Sequence, residues 1–132
     1  MSADALYAVL LRRESDATLS PEGWAVYSEI RREFPTAYVD LAQIGFCCPV
    51  PDDDPGHHRL KADALAAMWR TYRAAGVRVL VVSGRVDEDR DIERYAQALA
   101  GTPLTTFRTP PSGDLAHIAQ DVRERLSQVV TD

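Results

Sequence analysis

One segment limits the folds open to this chain more than any other. Residues 77–83 read Val-Arg-Val-Leu-Val-Val-Ser, nearly all apolar and rich in β-branched side chains, with Gly84 behind them. Such a run is expected as a strand at the centre of a sheet, covered on both faces. Shorter runs of the same kind stand at Tyr7–Leu11, Thr36–Asp40 and Leu104–Phe107. Between them the periodicity turns helical. Ser20-Pro21-Glu22 reads as a helix start, and Trp24, Tyr27, Ile30 and Phe34 then recur at helical spacing until Pro35 stops the pattern. A second helix is expected over His58 to Ala75, with Ala64, Leu65, Met68 and Tyr72 on its buried face and Gly76 as C-cap. A third is expected over Asp87 to Leu99, buried through Ile92, Tyr95, Ala96 and Leu99, and a last one opens at Ser112-Gly113-Asp114. Trp24, Trp69 and Tyr72 are expected in the core, and His117 on the surface of the last helix.

Strict alternation of strand and helix means a parallel sheet covered on both sides. The expected fold is therefore α/β, a three-layer α/β/α sandwich with a short, mostly parallel sheet, in one domain over residues 1–132. With 132 residues, 45% of them apolar and 27% charged, one packed core is in reach and disorder is not expected.

Charge and cysteine usage narrow the partners. The net charge of -5 argues against nucleic acid, which needs a basic surplus. Nearly all of the basic residues are Arg; Lys61 is the one Lys, so any step that needs a lysine must use it. No apolar run is long enough to span a membrane, and Met1-Ser2-Ala3-Asp4 lacks the basic and apolar regions of a signal peptide. Cys47 and Cys48 are adjacent, a poor arrangement for a disulfide. They are expected as structural or buried thiols in a reducing cytoplasm. Asp52-Asp53-Asp54 lacks calcium-loop spacing, and no metal or cofactor is expected. The oligomeric state, a homodimer included, stays open.

Open parallel sheets bind ligands beyond the carboxyl ends of their strands. Four connections reach that edge: residues 12–20, 40–57, 83–89 and 108–113. Along them a family resemblance emerges. Tyr38-Val39-Asp40-Leu41, Gly45-Phe46-Cys47, the stretch Asp53-Asp54-Pro55-Gly56-His57-His58-Arg59-Leu60-Lys61-Ala62, and Val81-Val82-Ser83-Gly84 resemble a group of small P-loop kinase-like proteins of actinobacteria. That group is itself similar to adenylylsulfate kinases and nucleotide kinases. Gly23-Trp24 and Arg94-Tyr95-Ala96 fit it too, so the resemblance covers most of Gly23 to Phe107 and is most specific around Asp54–Lys61.

The resemblance implies a phosphate-binding loop after the first strand, and this chain departs from it there. A P-loop cradles phosphates with glycine-rich backbone amides, reaches them with a Lys and binds magnesium through Ser or Thr. Residues 13–22 here read Arg-Glu-Ser-Asp-Ala-Thr-Leu-Ser-Pro-Glu, with no glycine and no lysine. Glu14, Asp16 and Glu22 would repel a polyphosphate, and Arg12 and Arg13 offset only part of that repulsion. The second acid that related kinases often carry two residues after the strand-two Asp is Ala42 here, and residues 107–114 are too short for an arginine-bearing lid. Phosphoryl transfer depends on those parts, so no kinase activity is expected.

What the chain retains is an acceptor-side set. Asp40, His57 and His58 are the candidate catalytic residues; Asp53, Asp54, Arg59, Lys61, Ser83 and Arg85 are the candidate ligand-binding residues. Each has a plainer reading: a polar loop with solvated charges, a locally capping histidine, a solvated helix face at Arg59 and Lys61, a strand end at Ser83. The acidic run Asp87–Asp91 reads as a helix N-terminus favoured by the macrodipole. Three functions fit: a degenerate kinase-like domain binding a small molecule without ATP, a repurposed cyclase, lyase or isomerase using His57, His58 or Asp40, or a non-catalytic interaction module.

Overall fold

The computed structural model describes residues 6–13, 21–49, 52–108, 120, 123 and 124. Four strands and three helices alternate along it: β1 (Tyr7–Arg12), α1 (Pro21–Ile30), β2 (Thr36–Asp40), α2 (His58–Ala74), β3 (Val79–Gly84), α3 (Asp89–Ala98) and β4 (Leu104–Arg108). The strands form one sheet in the order β2-β3-β1-β4, and every neighbouring pair is parallel. The run singled out above supplies an inner strand, β3, buried along its whole length. Among the described residues no helix is long and apolar enough to cross a membrane.

This strand order dictates where the helices go. The chain moves one way across the sheet from β1 to β2, then the other way from β2 to β3 and from β3 to β4. Right-handed crossovers therefore put α1 on one face and α2 and α3 on the other. The core divides accordingly. Val26 and Ile30 of α1 pack on Tyr7, Val9, Leu11, Val79 and Val81. Ala62, Leu65 and Trp69 of α2 and Tyr95 of α3, with Leu99 just beyond it, pack on Ala8, Leu10, Ala37, Val39, Leu80 and Val82. Alternate residues of each inner strand thus serve opposite layers, as the two-residue period of a strand requires. Trp69 also donates its indole N–H to the buried Thr102 hydroxyl at 3.0 Å, so its polar handle is satisfied.

Several expectations are corrected. The first helix ends at Ile30 rather than running to Pro35, and residues 31–34 form a turn. Trp24 is 57% exposed instead of in the core, because α1 turns Val26 and Ile30 to the sheet and leaves Trp24 on its outer side, against Tyr27. The two thiols are not buried: Cys47 and Cys48 are free and both exposed, in the connection that leads from β2 to α2. The second helix ends at Ala74 with Ala75, not Gly76, as its C-cap; Gly76 follows with φ 98°, the left-handed conformation that suits glycine just past a helix end. The expected last helix, with His117, lies almost wholly outside the described residues. Of that stretch Arg123 is placed against α1, bridging Glu29 at 3.0 Å and Glu33 at 2.9 Å.

Candidate functional site

The chain leaves β1 toward the α1 face and leaves neighbouring β3 toward the α3 face. A crevice opens between their carboxyl ends, at the point where parallel sheets of this kind bind ligands. Two cavities lie along that edge. One, of about 280 Å³, is walled by Asp53, Asp54, Pro55, Gly56 and His58 on one side and by Asp87, Glu88, Arg90, Asp91 and Arg94 on the other. The second, of about 190 Å³, is lined by Arg12, Arg13, Val86, Asp87 and Arg108. Asp87 belongs to both walls.

His58 is the half-buried titratable group of the larger cavity. It opens α2 after a 3-10 turn over Pro55–His57, in which His57 takes the left-handed conformation with φ 60°. Its Nδ1 lies 2.7 Å from the Tyr95 hydroxyl, and its Nε2 lies 3.9 Å from a carboxylate oxygen of Asp91. Asp91 and Tyr95 stand four residues apart, so α3 presents both on one face. The arrangement is satisfied when Tyr95 donates to Nδ1 and the Nε2–H faces Asp91. Burial lowers the His58 pKa from its ordinary value, against the opposing pull of the Asp91 charge, and Lys61 adds to the lowering. Burial likewise pushes the Tyr95 hydroxyl far up, which keeps it a proton donor. The ring is thus neutral and oriented near pH 7. Its 3.9 Å distance to Asp91 exceeds a direct hydrogen bond.

Asp54, by contrast, is consumed by the fold. It is buried, and its two oxygens accept the Arg59 amide at 2.9 Å and the Leu60 amide at 3.0 Å, in the first turn of α2. Burial would raise its pKa, but these two amides and the Arg59 charge outweigh it and hold the carboxyl below its usual range. Arg59 also clasps Asp53 at 2.9 Å; that hydrogen bond and charge lower the Asp53 carboxyl and raise the guanidinium. Both therefore sit at the rim as an exposed ion pair.

The remaining candidates scatter. Asp40 ends β2 and accepts the Ala42 amide at 3.0 Å, which turns the chain out of the strand. Ser83, fully buried, pairs with the Tyr38 hydroxyl at 2.6 Å. It follows Val79 and Val81 on the α1 face, so it does not share the His58 cavity. Arg85 pairs with Asp87 at 3.1 Å. Lys61 lays its stem against Gly45, beside the edge strand β2 and two strands from β1. The sequence-derived set thus resolves into His58, Asp53 and Asp54 at one cavity, with His57 and Arg59 adjoining, and Asp40, Ser83, Lys61 and Arg85 outside its lining. Reading the sequence missed Asp91 and Tyr95 as partners of His58; their four-residue spacing was visible, but nothing local tied them to a residue on another helix. Among the described residues no three His, Cys, Asp or Glu side chains group so as to hold a metal ion.

Fold and site together describe an open parallel α/β protein with two small cavities at the carboxyl edge of its sheet. Comparison with protein-family models, curated proteins and solved structures finds no significant match.

Proposed function

We propose that this protein is a degenerate relative of small P-loop kinases that binds a small molecule at the carboxyl edge of its sheet and transfers no phosphate from ATP. The observation that carries this reading is the cavity of about 280 Å³ beside a half-buried, oriented and neutral His58. It lies against the chain segment that most resembles those kinases, the stretch from Asp53 to Ala62. Loss of phosphoryl transfer is supported by the absence of glycine and lysine from residues 13–22 and by the place of Lys61, whose stem lies beside Gly45 in the connection after β2. The bound molecule would meet a donor–acceptor wall made by His58, Asp91 and the Asp53–Arg59 pair.

A second reading is favoured by the His58 geometry. In the other tautomer Nδ1–H donates to the Tyr95 oxygen and Nε2 carries the lone pair, which is the form of a general base. On that reading His58 Nε2 takes a proton from an organic substrate seated in the cavity beside it, as a cyclase, lyase or isomerase requires.

Thermal-shift screening against MgATP, MgGTP, phosphate, sulfate and a metabolite panel tests the first reading. A stabilising panel compound whose effect is lost in His58→Gln supports it. A magnesium-dependent shift with a nucleotide overturns it. No shift with any compound overturns it as well, in favour of an interaction module. Turnover of the stabilising compound, lost in His58→Gln, establishes the second reading.

A further inference from the structure

Arg12 and Arg108 end neighbouring parallel strands and are partners in register. Register partners project from the same face, on strands about 4.8 Å apart. Like charges so placed repel. The face is the one shared with α2 and α3, since Ala8 and Leu10 alternate with Arg12's neighbours there and Leu104 does so on β4. Arg13 follows at once, and the three arginines line the cavity of about 190 Å³ with Val86 and Asp87. Arg12 is held in place: its Nε donates to the Val86 carbonyl at 3.0 Å and its Nη2 to the Asp87 carbonyl at 3.3 Å. Arg13 is mostly enclosed, with Glu22 3.9 Å away. The Asp87 carboxylate is shared with Arg85.

We propose that this cleft is an oxyanion subsite, in which Arg12, Arg13 and Arg108 hold the phosphate, sulfate or carboxylate group of a small molecule. Guanidinium forks match such groups with paired hydrogen bonds. An arginine already fixed by two backbone carbonyls loses little freedom on binding. The donors are side chains at the ends of two neighbouring strands, not the backbone nest of a P-loop. The inference rests on the reading of the carboxyl edge as a ligand site and deepens it: Asp87 joins the two cavities, so an anion seated here leaves the rest of the molecule directed toward His58.

The test is a ¹H–¹⁵N NMR titration with inorganic phosphate, sulfate and acetate at constant ionic strength, with chloride as control. At least one oxyanion is expected to shift the Arg12, Arg13, Val86 and Arg108 signals in a saturable way. Arg108→Gln is expected to weaken that binding about tenfold, roughly one charge-assisted hydrogen bond. Arg32→Gln, the same charge change on an exposed turn, is expected to leave it unchanged. Preference for phosphate and sulfate identifies a tetrahedral group; preference for acetate identifies a carboxylate. Shifts that chloride reproduces, that never saturate, or that the two variants weaken equally overturn the subsite. A panel compound that stabilises the protein while no oxyanion reaches Arg108 overturns the subsite and leaves the proposed function standing. Saturable anion binding with no stabilising panel compound does the reverse.

Discussion

Asp54 and His58 lie four residues apart and have opposite duties. Asp54 fills both acceptor oxygens with the first free amides of α2, so its negative charge sits where the helix dipole favours it. Asp54→Ala is expected to cost about 1–2 kcal/mol, the worth of a strong helix cap, read as a lower urea midpoint at unchanged slope. His58 is held neutral. Its folded pKa lies below the unfolded value, so the proton binds the unfolded chain more readily. Stability is then full above the unfolded value of about 6.5 and falls as pH drops from there through the folded pKa. Urea midpoints between pH 7 and pH 5 are expected to decline in the native chain and to flatten in His58→Gln. The carboxyls of Asp53 and Asp54 act in a separate, lower window: their stabilisation is present above the ordinary Asp value and is lost as pH falls through their depressed folded values. A midpoint that does not move between pH 7 and pH 5 would show that His58 bears no burial penalty.

At the scale of elements, β3 and the turn after β2 pack tightly together. Gly84 is the last residue of β3, and a Cβ there would meet the Leu41 Cβ at 2.7 Å. Leu41 is itself fully buried, and its amide donates to the Ser83 carbonyl at 2.8 Å, so neither side has room to yield. Gly84→Ala is expected to cost about 1–3 kcal/mol by overpacking, measured by thermal or urea unfolding. A cost near zero would mean that the turn shifts freely. The helices divide their tasks in the same economical way. α2 reaches the sheet through Leu65 and Trp69, while its N-terminal turn carries His58 to the edge. α3 buries Tyr95 and uses the hydroxyl at its tip to orient that imidazole.

Over the whole molecule, the described residues form two core layers on opposite faces of the sheet. Ile30→Val on the α1 side is expected to cost about 0.5–1.5 kcal/mol and Leu65→Ala on the α2 side about 2–5 kcal/mol. With the sheet between them, the double variant should equal their sum within about 0.5 kcal/mol. A larger coupling energy would mean that the layers move as one. The α/β class, the parallel sheet and the buried place of residues 79–84 were legible along the chain, because they follow from local signals: continuous apolar runs, a Pro-marked helix start, a glycine at the C-cap. Trp24 and the Cys47–Cys48 pair misled, because composition says that such residues prefer burial but not which side of α1 meets the sheet or how the β2–α2 connection lies. The sequence by itself determined which segments are strands and helices and that they must form a parallel, two-sided sheet. Only the tertiary structure decided which side chains meet at its edge. Strand order and register brought Arg12 beside Arg108, and helix packing brought His58 to Asp91 and Tyr95. These are contacts between residues distant along the chain, and no local preference encodes them.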